Sequence, residues 1–143
     1  MSSGEGLLGG INIYKSDIIF ENCKFISNQG EDFLNIISSK FLIKNVFMEN
    51  INFDAIDFDF SKGKIESITI LKVGNDALDF SGSEVTAKNI FIEGAGDKGI
   101  SAGEKSIINL NNLKIKNSNI GIASKDLSKV SAANITITDA NIV

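Results

Sequence analysis

The sequence has no histidine, arginine, proline or tryptophan, and only one cysteine, Cys23. Without histidine the chain lacks the commonest general base near neutral pH and the usual zinc ligand. Without arginine it lacks the planar bidentate clamp for phosphate and carboxylate groups. One cysteine rules out an internal disulfide. The longest apolar runs are a few residues, too short for a membrane-spanning helix or a signal-peptide core. A net charge of −4 and a pI near 4.8 disfavour a nucleic-acid backbone as partner. What remains is 143 residues, 43% hydrophobic and 22% charged, a length that fits one domain and a balance that suits a packed core.

Self-comparison shows a repeat. FENCKF (Phe20 to Phe25), IKNVFM (Ile43 to Met48), IESITI (Ile65 to Ile70), AKNIFI (Ala87 to Ile92), LNNLKI (Leu110 to Ile115) and AANITI (Ala132 to Ile137) align on Asn22, Asn45, Ser67, Asn89, Asn112 and Asn134. The steps between these positions are 23, 22, 22, 23 and 22 residues, a period that points to a stacked architecture. Apolar residues largely fall two and four positions before the corner and one and three after it, as with Ile108, Leu110, Leu113 and Ile115. Period two predicts strands, and the slip of phase at the asparagine predicts a bend between two of them. A third strand recurs in GINIY, FLNII, AIDFD, ALDFS, GISAG and GIASK, beginning at Gly10, Phe33, Ala55, Ala77, Gly99 and Gly121.

Three short strands per coil of 22–23 residues, with no helical crossover, predict an all-β parallel β-helix (solenoid) of about six coils, spaced about 4.8 Å apart. On coil length and column pattern the chain resembles the single-stranded right-handed β-helix superfamily, the pectin-lyase-like fold, from about Gly10 onward. The right hand is what the resemblance implies. Residues 1–9 are expected to be a flexible glycine-rich segment and residues 10–143 the β-helix.

Inward columns follow from the register. Ile11, Leu34, Ile56, Leu78, Ile100 and Ile122 form one, each side chain contributing roughly 1.5–3 kcal/mol when fully buried. Cys23 falls in another, as a packed, inert thiol. The corner asparagines are expected to hydrogen-bond from coil to coil and to tolerate a left-handed backbone. Their place in that row makes the glycosylation triplet Asn134-Ile135-Thr136 incidental. An outward row, Glu21, Lys44, Glu66, Lys88 and Asn111, alternates in charge and favours one register.

The acidic stretch GNDALDFSGS carries the most chemistry. Asp76 lies in the turn, in a column with Asp32, Asp54 and Lys98, where an aspartate commonly caps local backbone amides. In the third strand the outward row is Asn12, Asn35, Asp57, Asp79, Ser101 and Ala123, followed two residues on by Tyr14, Ile37, Asp59, Ser81, Gly103 and Lys125. Asp57 and Asp79 are then stacked about 4.8 Å apart, with Asp59 one pleat from Asp57. Three things could offset the repulsion: solvation, which is the leading expectation, a calcium ion held by Asp57, Asp59 and Asp79, or a shared proton. If the face binds a ligand, Tyr14, Asn35, Ser81 and Ser101 are the substrate-binding candidates.

The resemblance implies enzymes that place acids and calcium on an outer sheet face and abstract a proton with arginine or lysine, with a histidine in the polygalacturonase type. Neither arginine nor histidine exists here, and Lys98 and Lys125 are displaced from the aspartates, so no catalytic residue is assigned and no cofactor is required. A carboxylate pair could hydrolyse a glycoside, but an exposed stripe lacks the desolvation that tunes one. Outward apolar residues, Ile19, Leu42, Tyr14, Phe33 and Ile37, and separately Phe47 and Phe91, predict a cover: the N-terminal segment, a second copy, or more chain. No cap follows Val143, so a fragment of a longer solenoid or end-to-end homo-oligomerisation is expected. Two functions compete. One is a non-catalytic scaffold or binding module of a larger secreted or cell-surface protein; the other is a carbohydrate-active or polysaccharide-binding protein using the acidic face.

Overall fold

Alternating apolar and polar residues put one face of a strand against a core, and a fixed period brings equivalent faces into columns. The computed structural model, which describes residues 10–27 and 33–141, is a parallel β-solenoid of six coils. Coil one holds β1 (Ile11–Tyr14) and β2 (Asp17–Ile26); coil two holds β3 (Leu34–Ile37) and β4 (Lys40–Ile51). Coil three holds β5 (Ile56–Asp59), β6 (Lys62–Ile65) and β7 (Ile68–Val73), and coil four β8 (Leu78–Ser81) and β9 (Glu84–Ala95). Coil five holds β10 (Lys98–Gly103) and β11 (Ile107–Lys116), and coil six β12 (Ile120–Ser124) and β13 (Lys129–Thr138). The expected flexible segment, Met1 to Gly9, lies outside the described residues, as do Asp32 and Val143.

Short strands form one sheet in the order β1-β3-β5-β8-β10-β12. The long strands form the other, β2-β4-β6-β9-β11-β13, with β7 pairing β4 and β9. Every pairing is parallel and joins equivalent positions of adjacent coils, such as Ile56 with Leu78 and Phe20 with Ile43. The two strands expected at each asparagine corner run as one bent strand in five coils. Asn22, Asn45, Asn89, Asn112 and Asn134 turn there with φ between 53° and 59°, a left-handed conformation that asparagine tolerates. In coil three Ser67 does not adopt it, and the strand breaks into β6 and β7.

The amide row forms with two changes. Asn45 Nδ2 donates to Asn22 Oδ1, and Asn112 Nδ2 to Asn89 Oδ1, both at 2.7 Å. Ser67 offers no amide, so Asn89 Nδ2 donates to the Glu66 carbonyl at 3.2 Å. Asn134 Nδ2 meets Asn111 Oδ1 at 2.9 Å, one residue before the expected partner Asn112. Of the alternating charged row, Lys44 and Glu21 form an ion pair, 3.9 Å apart and exposed, worth a fraction of a kcal/mol to about 1.

A second row was not anticipated from the sequence. Ser16, Ser39, Ser61 and Ser83 each donate a backbone N–H to the hydroxyl of the serine one coil on, at 3.0–3.1 Å, and Ser106 does the same to Ser128 at 3.0 Å. Each central hydroxyl also donates to a backbone carbonyl, as Ser83 Oγ does to Ser81 O at 3.0 Å. The row therefore satisfies amides that the turn between the sheets would otherwise bury without partners.

Inside, Leu34, Ile56, Leu78 and Ile100 are buried, while Ile11 and Ile122, in the outer coils, are half-buried. The Phe58 and Phe80 rings stack at 4.7 Å, and Phe41 lies 4.7 Å from Phe58. Cys23 is half-buried and packs against this core. At Gly74 a Cβ would run into the backbone carbonyl of Asn52, so the close approach of two coils needs glycine there.

Ser83→Ala is expected to leave the buried Ser61 amide without an acceptor and to cost about 1–3 kcal/mol, while Leu78→Ala costs about 2–5 kcal/mol through lost packing. Urea unfolding checks both as lowered midpoints. An unchanged midpoint for Ser83→Ala would show that the serine row contributes nothing to stability.

Candidate acidic site on the outer sheet face

The acidic side chains are positioned by the short-strand sheet. Leu78 and Phe80 turn into the core, so Asp79 between them turns out, and the same alternation places Asp57 outward on β5. Parallel register makes Asp57 and Asp79 direct partners. Asp54, in the turn before β5, completes a trio: one carboxylate oxygen from each of Asp54, Asp57 and Asp79 lies within 4.8 Å of the others. Asp59, the third acid expected in such a group, sits two residues further along β5, paired with Ile37 and Ser81, and is not part of the trio.

The turn aspartates act as caps, but across coils. Asp54 Oδ1 accepts the Asp76 backbone N–H at 2.9 Å and the Asn75 side-chain amide at 2.8 Å. Asp76 Oδ1 accepts the Lys98 backbone N–H at 3.0 Å. The spacing alone places Asp54 in a turn column; the bond it accepts from the Asp76 amide one coil on holds its carboxylate beside the strand pair.

Asp76 is buried, and burial pushes its carboxyl above the ordinary value of 3.8. The Lys98 amide and ammonium pull it down, the latter from 3.7 Å, and the charges of Asp79 and Asp97 push it up. Lys98 Nζ donates to Asp97 Oδ2 at 2.6 Å, a bond that holds Asp97 below and Lys98 above their ordinary values. Lys98 is therefore engaged twice, and Lys125 is exposed on coil six.

The ligand candidates are spread along the sheet. Tyr14 is 53% exposed on coil one, with the Lys15 ammonium 5.2 Å from its ring centroid. Asn35 is buried and donates to Asn12 Oδ1 at 3.2 Å. Ser81 is half-buried, and Ser101 is fully buried with no hydrogen-bond partner for its hydroxyl. Tyr14 and Ser101 are four coils apart, about 19 Å along the axis, so these side chains do not converge. Of the apolar residues expected to face outward, Ile19 is exposed and Leu42, Ile37, Phe47 and Phe91 are half-buried, whereas Phe33 packs against the core, its ring 5.2 Å from that of Phe25.

No family model, curated protein or solved structure matches this chain. What the chain can do must then be read from its own surfaces. A groove of about 520 Å³ crosses the long-strand sheet, lined by Lys40, Lys62, Lys64, Glu84 and Ile107, well away from the aspartates. It is an open furrow between two rows of side chains, and its Lys62–Glu84 pair, 3.5 Å apart, is exposed. The acidic trio is the tighter convergence of charge.

Because folding raises the Asp76 pKa, the folded state holds that proton more tightly than the unfolded chain. Its contribution to stability is present below the unfolded value of 3.8 and is lost as pH rises through the higher folded value. Asp76→Asn keeps an oxygen for the Lys98 amide and removes the titration. The variant is expected to gain stability relative to wild type as pH rises from 3.8 through that window, measured by chemical denaturation in a pH series; a pH-independent difference would show that Asp76 does not titrate with folding.

Proposed function

We propose that the chain is a non-catalytic β-helix module of the right-handed, pectin-lyase-like kind, serving as a rigid scaffold or binding surface within a larger surface or secreted protein. The observation that carries this reading is the unbroken chain of serine bonds that links coils one to six. The polar side chains between the sheets are used alike in each coil, for holding coils together. Catalysis needs a singular constellation, and the acid whose pKa is raised, Asp76, has its Oδ1 occupied as a cap between coils. Coil length and left-handed asparagine corners support the proposed superfamily. The six coils amount to a block about 24 Å from first to last, faced by two parallel sheets.

Incubating the full chain with polygalacturonate and with a neutral polysaccharide is expected to give neither unsaturated uronide products nor new reducing ends. Turnover on either substrate would overturn the reading. Saturable calorimetric heat with polygalacturonate, without turnover, would favour the competing assignment of an acidic-face polysaccharide binder.

A further inference from the structure

Both sheets repeat coil by coil at one spacing, so charges on one face of the solenoid can be matched with charges on the other. On the long-strand sheet, Lys40, Lys62 and Lys64 are exposed along the furrow. Lys40 is the strand partner of Lys62 one coil earlier, and Lys64 follows Lys62 by one pleat. The lysines thus mark a right triangle with sides of about 4.8 Å across the coils and about 6.7 Å along the strand. Glu84 pairs with Lys62, but both are exposed and the pair is worth at most about 1 kcal/mol. On the short-strand sheet, Asp57, Asp59 and Asp79 mark a triangle with the same sides. Asp79 is the strand partner of Asp57 one coil later, and Asp59 follows Asp57 by one pleat.

The triangles differ in one respect, and it is the one that facing surfaces require. All strands run the same way round the axis, but the lysine triangle extends towards earlier coils and the aspartate triangle towards later ones. When one face is laid on the other with strands parallel, the two solenoid axes run antiparallel, so later coils of one copy lie over earlier coils of the next. Lys62 then faces Asp57, Lys40 faces Asp79 and Lys64 faces Asp59, all at once. The same superposition sets Leu42 over Ser81, Thr86 over Ile37 and Glu84 over Asn35, with no like charges opposed among them.

We propose that the furrow of the long-strand sheet docks the acidic short-strand face of a second copy of this chain, with the axes antiparallel. A second copy is the occupant because the match is one of spacing and order as well as sign, and a partner with the same winding carries that pattern rigidly. Each copy presents both faces, so the contact is heterologous, and copies add to one another instead of closing as a two-fold pair. The matched strip is two outward columns wide, less than a stable interface needs, so the contact is weak and sensitive to salt. It goes beyond the scaffold reading and does not rest on it, since it uses only the fold.

The test is sedimentation equilibrium of the full chain. At about 0.5 mM protein in about 0.1 M salt, where the screening length is about 10 Å, the weight-average mass is expected to exceed the monomer's by at least ~1.3-fold. It should fall back to the monomer in about 1 M salt, where that length is about 3 Å. Lys62→Glu alone and Asp57→Lys alone should each be monomeric. An equimolar mixture of the two, or the double variant, should associate again, because opposite charges then meet across the contact. Lys64→Glu with Asp59→Lys supplies a second pair if the first disturbs folding, and a wild-type circular-dichroism spectrum shows which variants are folded. Association that persists in about 1 M salt and in the single variants would place the contact at the ends of the solenoid and overturn the proposal. A monomeric wild type at low salt would overturn it too, as would folded charge-reversed partners that stay apart when mixed.

Discussion

Vertical adjacency governs this molecule: the residue 22 or 23 positions on is the neighbour directly above. Parallel backbone bonds between equivalent strands fix that relation, and every other feature is a consequence of repeating it. A column of isoleucine and leucine becomes a continuous core because each member lies between two like itself. The same rule makes a column of acids difficult, because whatever one aspartate contributes is duplicated by the next. Stacking therefore sorts residues by how well they tolerate their own kind. Asparagine and serine can each donate and accept, and these are the residues in the corner rows.

That logic explains what could be read from residues alone. The inward columns, the strand phases and the corner asparagines were legible because apolar alternation and a bend-prone residue recur together. The serine row has the same period, from Ser16 to Ser128, and was just as visible in letters. It was missed because serine is common in turns and gives no apolar phase to follow. Asp54 was assigned to a turn column, but nothing in the spacing says that a turn side chain bends back over the strand pair. Asp59 illustrates the opposite error: alternation put it on the right face, while the pleat carried it past the convergence. Ser67 shows the corner rule by exception, since without a left-handed asparagine the strand splits in two.

The two polar rows beside the short-strand sheet run in opposite senses. Serine hydroxyls accept the amide of the coil before them, and the carboxylates of Asp54 and Asp76 accept the amide of the coil after. Coils three to five are thus tied from both sides, and the acidic trio sits where that bracing is densest.

One corner departs from uniformity. Where coil four passes from β8 to β9 through the single left-handed residue Gly82, coil five uses two in succession, Glu104 and Lys105, and coil six repeats this with Asp126 and Leu127. The additional residue is taken up in a tight turn closed from Gly103 O to the Ser106 amide, and Ser106 still reaches Ser128. Length can therefore vary at this point without disturbing the lattice beneath. It is the place where such a solenoid could sprout a loop, carry a grafted epitope, or diversify between duplicated coils while the rest of the winding stays in step.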